Sequence, residues 1–143
     1  MNLETVKPWL SLFYFDLLKI NDILLDMKFL KLLQKLAKSS THHQHKMSCI
    51  IAKKNRIISM GFNKVKTCPR INTRFNMIHA EIDALLGNSY EDLKGCTAYV
   101  YRAHKDGSLA MSLPCPACMA ALVESGIKKI IYSVENDFKE MNL

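Results

Sequence analysis

Beyond Ser40 the apolar residues stop recurring every three or four positions and gather into short runs. That change of period constrains the fold more than any other feature of the chain. Before it, Leu10, Phe13, Leu17, Ile20, Leu24 and Met27 step by three and four, the spacing of one helix face. Pro8 suits the first turn of such a helix. Phe29, Leu32, Leu33 and Leu36 carry the same period as far as Ser39 and Ser40. After it, Met47 to Ala52 reads as a strand, Lys53 to Arg56 as a polar turn and Ile57 to Phe62 as a second strand, together a hairpin. A polar loop from Asn63 to Asn76 precedes a helix from Ile78 to Leu86, stopped by Gly87-Asn88. Thr97 to Arg102 gives a third strand, and His104 to Ser112 a loop around Asp106-Gly107. Pro114 opens a helix over 115–125, and Lys129 to Val134 is a fourth strand. Strand, helix, strand alternation with one hairpin predicts an α/β fold: a mixed central sheet of about four to five strands flanked by helices.

Length and composition narrow the classes further. With 143 residues, 49% of them hydrophobic, the chain has material for one cored domain. No apolar run approaches the roughly 18 residues a membrane span needs; Pro8 to Phe15 ends at Asp16. Five cysteines at irregular spacings do not read as a disulfide framework, and the start Met1-Asn2-Leu3-Glu4 lacks the basic region of a secretory leader. The expected setting is reducing and cytoplasmic. The formal net charge is +7, yet residues 1–26 carry four acids against Lys7 and Lys19. The body is therefore strongly basic, which suits an anionic ligand such as a nucleotide phosphate or a nucleic acid backbone, and equally suits plain solubility.

Two short motifs stand at predicted helix starts: His79-Ala80-Glu81, then Pro114-Cys115-Pro116-Ala117-Cys118, with residues 82–113 between them. Cysteines three apart on a helix share a face, so both sulfurs can reach one ion, and the positive helix end favours thiolates. With His79 they make a Cys₂His donor set with one position left for substrate or water, the catalytic rather than the structural zinc pattern. Glu81 then stands beside that position as an acid/base. Taken singly the motifs have other readings: a redox pair, or half of a four-cysteine site recruiting Cys68 and Cys96.

Together the motifs resemble the zinc-dependent cytidine and deoxycytidylate deaminase superfamily. The similarity runs from about Met27 to Ser133. It includes the hairpin from Cys49-Ile50-Ile51 to Gly61-Phe62-Asn63, and Ser125-Gly126-Ile127-Lys128-Lys129-Ile130-Ile131-Tyr132. The segment after the cysteines looks most like deoxycytidylate deaminases and small phage-type deaminase-like proteins. The resemblance implies one zinc per chain held by His79, Cys115 and Cys118, with a water that zinc acidifies. It further implies that Glu81 takes the water's proton and returns protons to the base, that Asn63 hydrogen-bonds the substrate, and that the backbone N–H groups of Ala80 and Cys115 line the site. Three positions depart from the pattern. Asp83 stands where deoxycytidylate deaminases have asparagine. The 63–76 loop lacks their glycine-rich pattern, so phosphate recognition does not transfer. Past Ser133, where relatives add a fifth strand and a helix, only ten residues follow.

The remaining features have bland readings beside sharp ones. Lys53, Lys54, Arg56, Lys64, Lys66, Arg70 and Arg74 fall in a stretch without acids, either a phosphate contact or a solvated surface. His42, His43 and His45 read as surface residues, and Tyr99, Tyr101 and Tyr132 as packing residues. Residues 1–26 are expected to be a helical extension, a packing or oligomer-contact helix, or else a segment upstream of a start at Met27; residues 27–143 form the deaminase domain. The expected reaction is hydrolytic deamination of an amino-nucleobase, cytosine in a free nucleotide or nucleoside. The alternatives are a deaminase of single-stranded DNA or RNA, and an inactive, zinc-stabilised interaction module. A homo-oligomer without membrane contact completes the expectation.

Overall fold

The computed structural model describes residues 28–42, 45–65 and 77–143. The expected helix over 9–26, the loop cations Lys66, Arg70 and Arg74, His43 and Cys68 lie outside these residues. The chain divides into two compact units, Met1–Lys31 and Leu32–Leu143, and the second holds the sheet.

Among the described residues, seven strands and four helices follow one another. A helix over 28–38 (α1) leads to β1 (Lys46–Lys53) and β2 (Arg56–Phe62), then to the two-residue strands β3 (Lys64–Val65) and β4 (Met77–Ile78). Helices α2 (Ala80–Leu85) and α3 (Tyr90–Leu93) precede β5 (Thr97–Ala103). Helix α4 (Pro116–Glu124), β6 (Lys129–Val134) and β7 (Asp137–Asn142) complete the chain. The main sheet has the order β2-β1-β5-β6-β7, antiparallel throughout except for the parallel β5–β6 pair. That pair is bridged by α4, as a parallel connection requires.

The sheet is mixed and five-stranded, as the alternation of elements leads one to expect. Central β1 is buried from Ser48 to Ala52 because both its faces are covered. Cys49 and Ile51, with Ala98 and Val100 of β5, pack against Ala80 and Ala84 of α2 and Leu122 of α4. Their neighbours turn to the other face, where the buried Ser48 hydroxyl donates to the Leu33 carbonyl of α1 at 2.7 Å. Tyr99, Tyr101 and Tyr132 are buried packing residues, in line with the sequence reading.

Four elements were not foreseen: the short strands β3 and β4, which take residues read as loop and the Ile78 read as a helix start, and also α3 and β7. Helix α3 is one turn, held by a capping box in which Ser89 and Asp92 bond each other's backbone N–H groups. The fifth strand, β7, forms after the turn at Glu135-Asn136, where Asn136 takes φ 64°. Its residues are mostly exposed and polar, so no apolar alternation announces it; pairing with β6 alone makes it a strand.

Candidate zinc and acid/base site

The site forms where β5 and β6 part. Their parallel ladder pairs Thr97 to Val100 with Lys129 to Tyr132 and goes no further. The returning segment 110–112 wedges into the gap. Ala110 N–H donates to Arg102 O, and Ser112 N–H to Ser133 O, both at 2.9 Å. Two buried hydroxyls satisfy the groups left over. Ser112 Oγ donates to Val100 O (2.9 Å) and accepts from Ser133 N–H (2.8 Å). Ser133 Oγ donates to Ala110 O (2.7 Å) and accepts from Arg102 N–H (3.1 Å). Strand ends that splay in this way are where open α/β sheets place their ligands. The wedge hands the chain to buried Pro114 and so to Cys115, the N-cap of α4, with Pro116 in its first turn.

Helix α2 is seated by three contacts that bring it unusually close to β2. Gly61 lies against the helix backbone: a Cβ there would stand 2.4 Å from Ala84 N and 2.6 Å from Ala80 O. Ser59 Oγ donates to Ala84 O at 2.6 Å. Asp83 accepts from Phe62 N–H at 3.1 Å and pairs with Lys64 at 3.0 Å. The aspartate that departs from the family pattern is thus tied to β2 and matched by a lysine from the next strand.

These placements bring the two motifs together. His79 is the N-cap of α2, and its Nδ1 is 3.3 Å from Cys118 Sγ and 3.7 Å from Cys115 Sγ. All three donor atoms lie within 4.8 Å of one another, and among the described residues no other such group of possible ligands occurs. Metal–sulfur bonds of about 2.3 Å and metal–nitrogen bonds of about 2.0 Å give a tetrahedral nitrogen–sulfur edge of roughly 3.5 Å. The observed separations bracket it. The donor set therefore fits a zinc ion, with two sulfurs and one imidazole nitrogen converging.

Glu81 is the second residue of α2 and is 2% exposed. Its Oε2 has no hydrogen-bond partner, an expensive state for a buried carboxylate unless something else occupies it. Burial raises the Glu81 pKa, offset in part by its own backbone N–H, the nearby His79 charge and the Cys118 thiol. Burial, followed by the Glu81 carboxylate and Cys115, pushes the Cys118 thiol well up. A bound cation acts in the opposite direction, favouring the thiolate.

Residues 25–134 match the family described as the cytidine and deoxycytidylate deaminase zinc-binding region. The chain belongs to this family. The deoxycytidylate deaminase of Mycobacterium phage D29 is 30% identical over 132 residues, covering 78% of this chain and 95% of the phage protein. The human deoxycytidylate deaminase is 25% identical over 99 residues, covering 59% of this chain; the match spans only 50% of the human protein. Among solved structures, the apo dCMP deaminase of cyanophage S-TIM5 shares the fold. Its TM-score is 0.55 at 23% identity, over 78% of this chain and 83% of that one.

Within this deaminase family chain the other expected residues have definite positions. Asn63 is 3% exposed, its Oδ1 accepting from Met47 N–H (3.0 Å) and its Nδ2 donating to His45 O (2.7 Å). Most of its side chain is thus spent joining the end of β2 to the start of β1. Ala80 is fully buried at the first position of α2. Cys96 is buried away from the cluster, its Sγ 3.4 Å from Asp92 O. Of the basic stretch, Lys53, Lys54 and Arg56 sit at the β1–β2 turn, the opposite end of the hairpin from Asn63. Gly61, Ser112 and Ser133 position the site without having been singled out as doing so, since each works through a partner far away in sequence. No helix among the described residues is long and apolar enough to cross a membrane.

Proposed function

We propose that this chain catalyses hydrolytic deamination of the cytosine base of a free nucleotide, with deoxycytidylate as its substrate. The observation carrying this reading is the buried Glu81 carboxylate, one oxygen unpartnered, next to a converging Cys₂His donor set. Deoxycytidylate as substrate is supported by the activity of the phage D29 relative, nearly all of whose length this chain covers.

His79, Cys115 and Cys118 would hold the zinc ion, whose Lewis acidity brings the pKa of a water close to neutral. Glu81 is the catalytic acid/base. Its Oε2 accepts one proton from the water as the oxygen attacks the amino-bearing carbon and passes it to the ring nitrogen; it then relays the second proton of that oxygen to the departing amine. Water and cytosine nucleotide thereby become ammonia and uracil nucleotide. A carboxyl whose pKa is raised by burial suits a group that must both take and give a proton near neutral pH. Asn63 and the Ala80 N–H would bound the substrate pocket, Asn63 with the second hydrogen of its amide. Lys53, Lys54 and Arg56, at the far end of the hairpin, do not favour nucleic acid as the substrate of this site. The family match beginning at residue 25 supports a deaminase domain over 27–143 preceded by an extension over 1–26.

The test is ammonia release by zinc-quantified protein against deoxycytidylate, deoxycytidine, cytidylate, adenosine and single-stranded oligonucleotides, with Glu81→Gln alongside. Release from deoxycytidylate that disappears in the variant while its zinc remains is the expected result. Release from oligonucleotides alone would overturn the substrate. Loss of zinc in Glu81→Gln would overturn the role given to that residue.

A further inference from the structure

Resting on the nucleotide reading above, we infer that Arg102, braced by His45, is the group that receives the nucleotide's 5′-phosphate. The placement follows from strand alternation. Val100 packs in the core beneath α2 and α4, and Tyr101 turns to the α1 face, where Gln34 hydrogen-bonds it. Arg102 is one period beyond Val100, so it emerges on the helix-bearing face, at the strand end where the zinc ligands gather. Its guanidinium reaches the Met111 carbonyl at 3.5 Å, four residues before Cys115.

The guanidinium is held by neutral groups. Its Nη2 lies 2.7 Å from His45 Nδ1. Arginine does not deprotonate and has no acceptor, so His45 Nδ1 must accept, and the neutral ring carries its hydrogen on Nε2. His45 is itself anchored, because its carbonyl accepts from Asn63 Nδ2 and its N–H donates to His42 Nδ1 at 2.9 Å. Asn63 and Met47, whose register partner is Arg102, complete a continuous rim. Among the described residues Arg102 has no carboxylate partner. Of the other cations near this end of the sheet, Lys64 is already matched by Asp83, and Lys46 donates to the Ser40 carbonyl at 2.6 Å. An oriented, unneutralised guanidinium beside an imidazole N–H donor is the arrangement that binds a phosphate through paired charge-assisted hydrogen bonds.

The experiment measures equilibrium binding of dUMP and of deoxyuridine, product-side ligands that differ only in the phosphate, to the zinc-loaded full chain by calorimetry. Inorganic phosphate serves as competitor. Wild type should prefer dUMP by at least about tenfold, and Arg102→Met should erase about 10- to 100-fold of the dUMP affinity relative to deoxyuridine. Arg102→Lys, which keeps the charge but not the fork, should fall between them. His45→Ala should weaken the preference less, and circular dichroism verifies that each variant is folded. Equal wild-type affinity for both ligands, or equal losses for both in the variants, would overturn the assignment. Failure of the cytosine nucleotide reading would look different: neither ligand would bind, and deoxycytidylate would release no ammonia.

Discussion

Gly61→Ala should loosen zinc from a distance, through the seating of one helix. The added methyl would stand 2.4 Å from Ala84 N, 2.6 Å from Ala80 O and 2.9 Å from the Asp83 carbonyl carbon. All three are backbone atoms of α2, so no side-chain rotation relieves the clash. Ordinary contact begins near 3.4 Å, and the helix must retreat from β2 by nearly 1 Å. Overpacking of this kind costs about 1–3 kcal/mol, which for a domain of this size lowers the melting temperature by roughly 3–12 °C. The metal feels the same movement. His79 caps α2 whereas Cys115 and Cys118 belong to α4, so the shift changes one ligand relative to the other two. Zinc–ligand distances tolerate only about 0.2 Å. Zinc affinity, read by competition with a chromophoric chelator, should fall at least about tenfold. Gly107→Ala is the control: its Cβ meets nothing within 4 Å, although φ is +87°, so it carries local backbone strain alone. Wild-type zinc affinity in Gly61→Ala, or an equal loss in Gly107→Ala, would refute the argument.

Other variants probe other parts of the site. Cys118→Ser should reduce bound zinc, measured by atomic absorption, from one ion per chain to well below one, because it removes one of three donors. Ser112→Ala strands the buried Val100 carbonyl and Ser133 N–H, at about 1–3 kcal/mol for each group left unpaired. Urea denaturation should show that loss, together with weaker zinc binding since Cys115 follows the wedge; unchanged stability would mean water replaces the hydroxyl. In chelator-treated protein, Glu81→Gln should stabilise the fold in a pH-dependent way. The raised Glu81 pKa means the native state holds this proton more tightly than the unfolded chain. The burial penalty is therefore absent below the ordinary carboxyl range and fully present above the raised value. The variant's advantage in melting temperature should grow from pH 4 to pH 8, and a constant or shrinking advantage would contradict the assigned cause.

What could be read from the sequence depended on how local the determining contacts are. His79, Glu81, Cys115 and Cys118 stand out because each motif is complete within five residues and sits at a helix start. The hairpin from Met47 to Phe62 and the strand at Thr97 are apolar runs bounded by polar turns, and they appear where expected, within a residue or two. Strand β7 was missed because edge residues such as Asp137, Lys139 and Glu140 bury little, so their periodicity says nothing. Helix α3 carries a signal that a closer look at Ser89 and Asp92 reveals, a capping pair three residues apart. The wedge of Ser112 and Ser133 joins residues 21 apart, and small serines give no sign of a partner. Gly61 is one glycine among five until the helix that presses on it is seen. Alternation along β5 puts Arg102 on the site face only once its two sides are known to be covered by different helices.

One titration tests the zinc dependence of the site most directly. Metal-free protein is supplied with zinc in fractional equivalents, and ammonia release from deoxycytidylate is measured at each step. A linear rise that breaks at one zinc per chain, and that is absent throughout in Glu81→Gln, is the predicted result. Full activity before zinc is added, or none at one equivalent, would contradict the claim that His79, Cys115, Cys118 and Glu81 form a zinc-dependent deaminase site.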